Sequence, residues 1–93
     1  MLHQATEKIP GGKLLTVKVE ISHKIKKIQI LGDFFAHPEE CITDIEHRFS
    51  NLDISFDDKK LIKELDELIK ARGYELIGVD AASIVNLVKR SLQ

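Results

Sequence analysis

The sequence predicts a two-layer α+β domain, with about three helices covering one face of a small antiparallel sheet. Two observations carry that prediction. Leu15, Val17, Val19 and Ile21 alternate with Thr16, Lys18 and Glu20, the period of two that marks a half-buried strand. Beyond Pro38 the period changes to that of a helix, with stripes at Ile42, Ile45 and Phe49, at Leu61, Ile62, Leu65, Leu68 and Ile69, and at Ile84, Leu87 and Val88.

In chain order, residues 1–12 read as an arm and a turn, because Pro10-Gly11-Gly12 is a turn signal that opens the first strand. Residues 13–31 read as a β-hairpin, 13–21 against 25–31, joined by the short polar turn Ser22-His23-Lys24. Lys24, Lys26 and Lys27 at the start of its second strand read as a solvated strand end that resists edge-to-edge association. Gly32-Asp33 breaks the strand and Phe34-Phe35 carries the chain toward Pro38. Pro38 followed by Glu39 and Glu40 suits a helix opening, giving a helix over 38–50 that Ser50-Asn51 closes. A second helix is expected over 57–72. Ser55 and Asp58 have the spacing of a capping box, and Gly73 supplies the stop. Residues 74–79 form either an extended piece or a connection, and Asp80 caps a last helix over 80–92, with Leu92 at the end of its buried face.

The chain has 93 residues, the size of a single domain spanning 1–93. A chain of this size buries roughly 65% of its unfolded surface, enough for one core but not for a nucleotide-binding domain besides. Hydrophobic residues at 43% and charged residues at 31% describe a folded globular protein rather than a disordered one. Fourteen Lys and Arg against fifteen Asp and Glu give a net charge of −1, and five aromatic residues include no Trp. Nucleic-acid binding is disfavoured by that charge and by the shortage of stacking rings. No apolar run approaches the roughly 18 residues of a membrane helix, and a signal-peptide pattern is lacking, so a cytoplasmic protein is expected.

Chemistry-bearing residues are sparse. Cys41 is the only cysteine, which removes a disulfide framework and a cysteine-rich zinc site. In the first turns of its helix the dipole would favour a thiolate, but Glu39, Glu40 and Asp44 oppose it, so Cys41 reads as structural. His37, Cys41 and Asp33 fall short of the four ligands of a closed zinc site, and no metal is expected. Ile9-Pro10-Gly11-Gly12-Lys13 has the glycines and lysine of a phosphate loop, but Leu14 follows the lysine and a strand follows that. Acidic pairs Glu39-Glu40 and Asp57-Asp58 are accounted for by helix dipoles. No acid, base and nucleophile assemble, so no catalytic residue is assigned.

Lys8-Ile9-Pro10-Gly11-Gly12-Lys13, the strand pair, Gly32-Asp33-Phe34-Phe35, Pro38-Glu39-Glu40 and Ile45-Glu46 together resemble the accessory, carboxy-terminal domain of lipoate–protein ligases. The resemblance covers nearly the whole chain, strongest from Lys8 to Phe49 and weak from Leu52 onward. Ser50-Asn51 stands where the family often has a glycine. In some archaea this domain is a separate small subunit, and a chain that starts at Met1 without a catalytic domain fits that split form. The resemblance implies a fold like that of sulfur-acceptor and iron–sulfur scaffold proteins. It also implies a cytoplasmic, non-catalytic subunit in a heterodimer with a large ligase subunit. That partner would hold ATP, Mg and lipoate and make lipoyl-AMP. It would then pass the lipoyl group to a lysine of a lipoyl-domain protein, such as a 2-oxoacid dehydrogenase E2 or the glycine-cleavage H protein. The ligase's arginine- and glycine-rich motif and catalytic lysine are absent here, so no activity is expected of this chain alone.

Such a role needs an interface rather than a pocket. Candidates are Lys8, Gly11, Gly12, Lys13, Asp33, Phe34 and Phe35: glycines permit close backbone approach, lysines meet anionic groups, and adjacent phenylalanines cannot readily both face the core. Glu46 is expected to pair with a lysine or a backbone donor. Two other classes remain open: a sulfur-transfer or iron–sulfur accessory protein using Cys41, and a generic protein-interaction module.

Overall fold

The computed structural model describes residues 1–11 and 13–93. Strands β1 (Leu2–Ile9), β2 (Lys13–Ser22) and β3 (Lys24–Gly32) form an antiparallel sheet in the order β1-β2-β3. A second, two-stranded sheet pairs β4 (Phe35–His37) with β5 (Glu75–Ile77). Helices α1 (Glu40–Phe49), α2 (Asp58–Arg72) and α3 (Ala81–Ser91) complete the domain. The expected α+β class is therefore observed.

The row Leu15, Val17 and Val19 of β2 is wholly removed from solvent, with Ile28 and Ile30 of β3 buried beside it. Each such aliphatic side chain stabilises the fold by about 1.5–3 kcal/mol when fully buried. Helix α1 covers the β3 side of this face with Cys41, Ile45 and Phe49, while α3 covers the β1–β2 side with Ile84, Val85, Leu87 and Val88. Helix α2 contributes Leu61 and Leu65 and packs mainly on α3. The radius of gyration is 12.3 Å, close to the roughly 12 Å of a compact unit of this length, so the small sheet and all three helices share one body.

Two elements depart from the sequence expectation: β4 forms where a connection toward Pro38 was expected, and β1 where an arm was expected. Residues 2–9, read as an arm, form a full strand paired with β2 from Leu2↔Glu20 to Ile9↔Lys13. Its inward positions are His3, Ala5, Glu7 and Ile9, and two of these four are polar, so the strand shows no apolar alternation. Both polar residues are satisfied by α3: His3 Nδ1 donates to the Ser91 carbonyl at 3.1 Å, and Arg90 pairs with Glu7 at 2.7 Å.

Termini of the helices follow local chemistry. Asp57 caps α2 by accepting from the Lys60 N–H at 3.2 Å, in place of the expected Ser55–Asp58 box. Ser55 is instead engaged by Asp53, whose carboxylate accepts from its N–H and hydroxyl at 2.9 and 2.7 Å. Those bonds, backbone first, hold the Asp53 carboxyl below the usual range. Gly73 ends α2 at φ +65°, which lets the Tyr74 N–H reach the Ile69 carbonyl. Asp80 caps α3 through the Ser83 N–H at 2.8 Å, and Asn51 takes the left-handed conformation after α1 at φ +65°. Helix α1 begins at Glu40, with Pro38 just ahead of it and its carbonyl accepting from the Cys41 N–H.

The outer edge of β3 is engaged at two places by the chain itself. Glu46 on α1 accepts the outward Ile30 N–H at 2.8 Å, the backbone donor expected for it. Ile25 exchanges both backbone hydrogen bonds with residues 51–52. A carboxylate bonded to a half-buried backbone donor makes a charge-assisted link. Replacing Glu46 with Ala strands the Ile30 N–H and is expected to lower unfolding free energy by about 1–3 kcal/mol in urea denaturation. Glu46→Gln keeps an acceptor there and should lose distinctly less.

Candidate functional site

At one end of the three-stranded sheet three chain segments meet. Leu14 in β2 accepts from the Asp33 N–H at 3.0 Å, which holds the β3–β4 step against β2. Gly32 is required there: a Cβ at this position would run into the Leu14 carbonyl oxygen. Gly78, just after β5, has φ +90°, and a Cβ built on it would sit 3.5 Å from Lys13 Cγ and 3.6 Å from the Phe34 Cα and the Asp33 carbonyl oxygen. The start of β2, the β3–β4 step and the end of β5 therefore lie within side-chain reach of one another.

This geometry assembles most of the sequence-derived candidates. Lys8, Gly11, Lys13, Asp33 and Phe35 are all exposed at this end; Gly12 lies outside the described residues. The two phenylalanines divide. Phe34 is half-buried and packs on the core, whereas Phe35 is 53% exposed and lies parallel to the His37 ring, with 6.4 Å between centroids. Phe34 is thus an anchor for the step, and Phe35 alone presents a large apolar surface.

Three apolar residues outside the sequence-derived set join it. Ile77 stands opposite Phe35 in the β4–β5 register and is 57% exposed, and Leu14 and Leu31 are exposed on the outer face of the large sheet. Leu14 was legible, since it falls on the polar side of the β2 alternation. Ile77 sits in a strand of three residues, too short to show a period. Exposed aliphatic and aromatic groups beside two lysines suit a protein surface as partner.

Catalytic alternatives find little support in the side-chain arrangement. Cys41 has no exposed surface, and burial first, then the Asp44 carboxylate, pushes its thiol upward, which keeps it protonated and out of reach. Among the described residues no three of His, Cys, Asp and Glu come close enough to share a metal ion, and no buried side-chain polar atom lacks a partner. Concavities are shallow troughs, such as the one lined by Lys18, Glu20, Lys27 and Gln29 on the outer sheet face. No helix among the described residues is long and apolar enough to cross a membrane.

Fold and surface together define a small α+β domain whose exposed features are apolar and basic groups at one end, with its thiol locked in the core. No protein-family model and no curated protein matches the chain. A solved structure does: a chain from an archaeal lipoylation system of Thermoplasma acidophilum, comprising a bi-partite lipoate protein ligase and its E2 lipoyl domain. It aligns with a TM-score of 0.73 and 24% identity over 95% of this chain and 94% of that one. This likeness concerns the fold, and it extends over almost the full length of both chains.

Two measurements test this account. The Cys41 thiol should react with an aromatic disulfide reagent at least about tenfold more slowly in the native protein than in urea, because reaction must await opening of the core. Tyr74 donates its hydroxyl to Asp44, and that bond, then burial and the Asp44 charge, raises its ionisation above the ordinary value of 10.0. The unfolded chain therefore loses this proton first as pH rises. The contribution is complete below pH 10 and lost above it, so the unfolding midpoint should fall in alkali more steeply than in Tyr74→Phe.

Proposed function

We propose that this chain is the cytoplasmic accessory subunit of a two-part lipoate–protein ligase. In this reading it binds a large catalytic subunit that carries ATP, Mg and lipoate, and it promotes formation of lipoyl-AMP before the lipoyl group passes to a lysine of a lipoyl-domain protein. The observation that carries the reading is the full-length likeness in fold to a chain of a lipoylation system built on a bi-partite ligase. Lys13 and the segment Gly32–Phe35, parts of the stretches that resemble the accessory domain in sequence, support it by meeting at one end of the fold.

A subunit without reacting groups can act on a reaction by favouring one conformation of its partner. Adenylation needs ATP and the lipoate carboxylate held in near-attack geometry and shielded from water. A subunit that binds the closed catalytic site more tightly than the open one shifts the population toward it by that difference in affinity. A standard interface takes about 800 Å² from each partner, roughly one-seventh of this chain's 5821 Å². Phe35 and Ile77 are the apolar anchors of the proposed surface, with Leu14 and the aliphatic stems of Lys8 and Lys13 around them. The sulfur-transfer alternative requires an accessible thiol, which the burial of Cys41 opposes.

The test is lipoate-dependent exchange of pyrophosphate into ATP by the catalytic subunit, measured with and without this chain. Stimulation of at least about tenfold is expected, with Phe35→Ala/Ile77→Ala losing most of it while remaining folded, and Cys41→Ser retaining it. No stimulation of a competent catalytic subunit overturns the reading. So does a mass increase of one lipoyl group on this chain, which would make it the acceptor.

A further inference from the structure

The two edges of the three-stranded sheet are treated differently. On β3 part of the outward edge is occupied: Glu46 accepts from the Ile30 N–H, and residues 51–52 exchange hydrogen bonds with Ile25. On β1 the Met1 N–H and carbonyl exchange hydrogen bonds with Ile21 at 3.0 and 2.9 Å, so Met1↔Ile21 is a bonded pair. Alternation along an antiparallel ladder then turns His3, Ala5, Glu7 and Ile9 toward β2. It leaves the N–H and C=O groups of Leu2, Gln4, Thr6 and Lys8 directed outward. Among the described residues nothing bonds to that edge. The strand lacks proline, its register with β2 runs unbroken over eight residues, and Lys8 is the only charged residue among its outward four. These are the properties of a strand that accepts another strand.

We propose that β1 pairs antiparallel with β1 of a second copy about a two-fold axis through Ala5, joining two sheets into one of six strands. The occupant follows from the order of residues along the edge. Centred on Ala5, all four outward residues of each copy are used: Leu2 opposes Lys8, and Gln4 opposes Thr6, in bonded pairs that exchange eight hydrogen bonds across the axis. On the inner face His3 comes opposite Glu7 and Ala5 opposite itself. No charge faces its own kind. Moving the axis by one residue either way leaves one outward residue of each copy unpaired. Such a contact is self-complementary, as a two-fold requires. A strand edge alone buries less than the about 800 Å² per partner of a standard interface, so the dimer is concentration-dependent.

This inference stands apart from the ligase reading and is tested without the catalytic subunit. Sedimentation velocity between about 10 μM and 1 mM should show the mass rising from 10.6 kDa toward twice that value. Gln4→Lys/Thr6→Lys places lysine opposite lysine in both central pairs, on side chains that are exposed in the monomer, and should stay at the monomer mass. Gln4→Glu/Thr6→Glu should do the same. An equimolar mixture of the two double variants sets lysine against glutamate at every central pair and should recover dimerisation at least about tenfold over either alone. A constant monomer mass for the unaltered chain overturns the proposal. A dimer indifferent to both double variants, or a mixture that fails to associate, also does so.

Discussion

The apolar row Leu15, Val17 and Val19 must be kept from water, and the rest of the molecule is arranged around that requirement. β2 is central in its sheet, so its row cannot be sheltered by edge placement and needs a layer of helices across the whole width of one face. Three helices meet the need from different sides: α1 beneath β3, α3 beneath β1 and β2, and α2 backing α3. Because covering one face suffices, the other face stays open to water, with Thr16, Lys18 and Glu20 along its centre and exposed Leu14 and Leu31 toward one end. Glu46 lets α1 serve twice, as a lid on the apolar face and as the cap of the β3 edge.

That arrangement also determines where function can reside. Cys41, the thiol that a sulfur-transfer mechanism would need, is packed in the core. What remains free is an end and an edge. The end exists because β3 cannot continue: at Gly32 the chain passes against the Leu14 carbonyl and crosses to the small sheet. The crossing turns Phe34 inward and Phe35 outward, since successive residues of an extended segment face opposite sides. β5 then places Ile77 opposite Phe35, so an exposed apolar pair results from the strand pairing itself.

Much of this was legible in the residues, and the exceptions have physical causes. Alternation in β2 and the helical stripes were plain because each buries a continuous apolar face. Gly73 and Asp80 were readable because a left-handed terminus and a capped N-terminus demand particular residue types. β1 was hidden because two of its four inward positions carry His3 and Glu7, whose partners, Ser91 and Arg90, lie more than eighty residues away. β4 and β5 have three residues each, fewer than any period needs. At the site, adjacency indicated that Phe34 and Phe35 would not share one environment, but only the register of β4 shows which faces out. Ser55 and Asp58 had capping-box spacing, yet Asp53 lies closer to Ser55 and binds it first.

The end and the edge need not compete for partners. In an antiparallel β1 pair the Lys8 terminus of one copy lies beside the Leu2 terminus of the other. Six residue steps at about 3.3 Å each separate Leu2 from Lys8, so the two Lys8 positions lie about 20 Å apart along the strands. The β4–β5 ends, which follow from the Lys8 side of each sheet, then point away from the axis in opposite directions. Lys8 is the one residue common to both surfaces. In a dimer its ammonium extends past the Leu2 side chain of the other copy, so the stem is covered while the charge stays at the rim. A catalytic subunit seated on Phe35 and Ile77 would find that charge still present. Pairing through β1 is therefore compatible with one catalytic subunit at each outer end, and the near-neutral charge of the chain raises no long-range repulsion against two copies approaching.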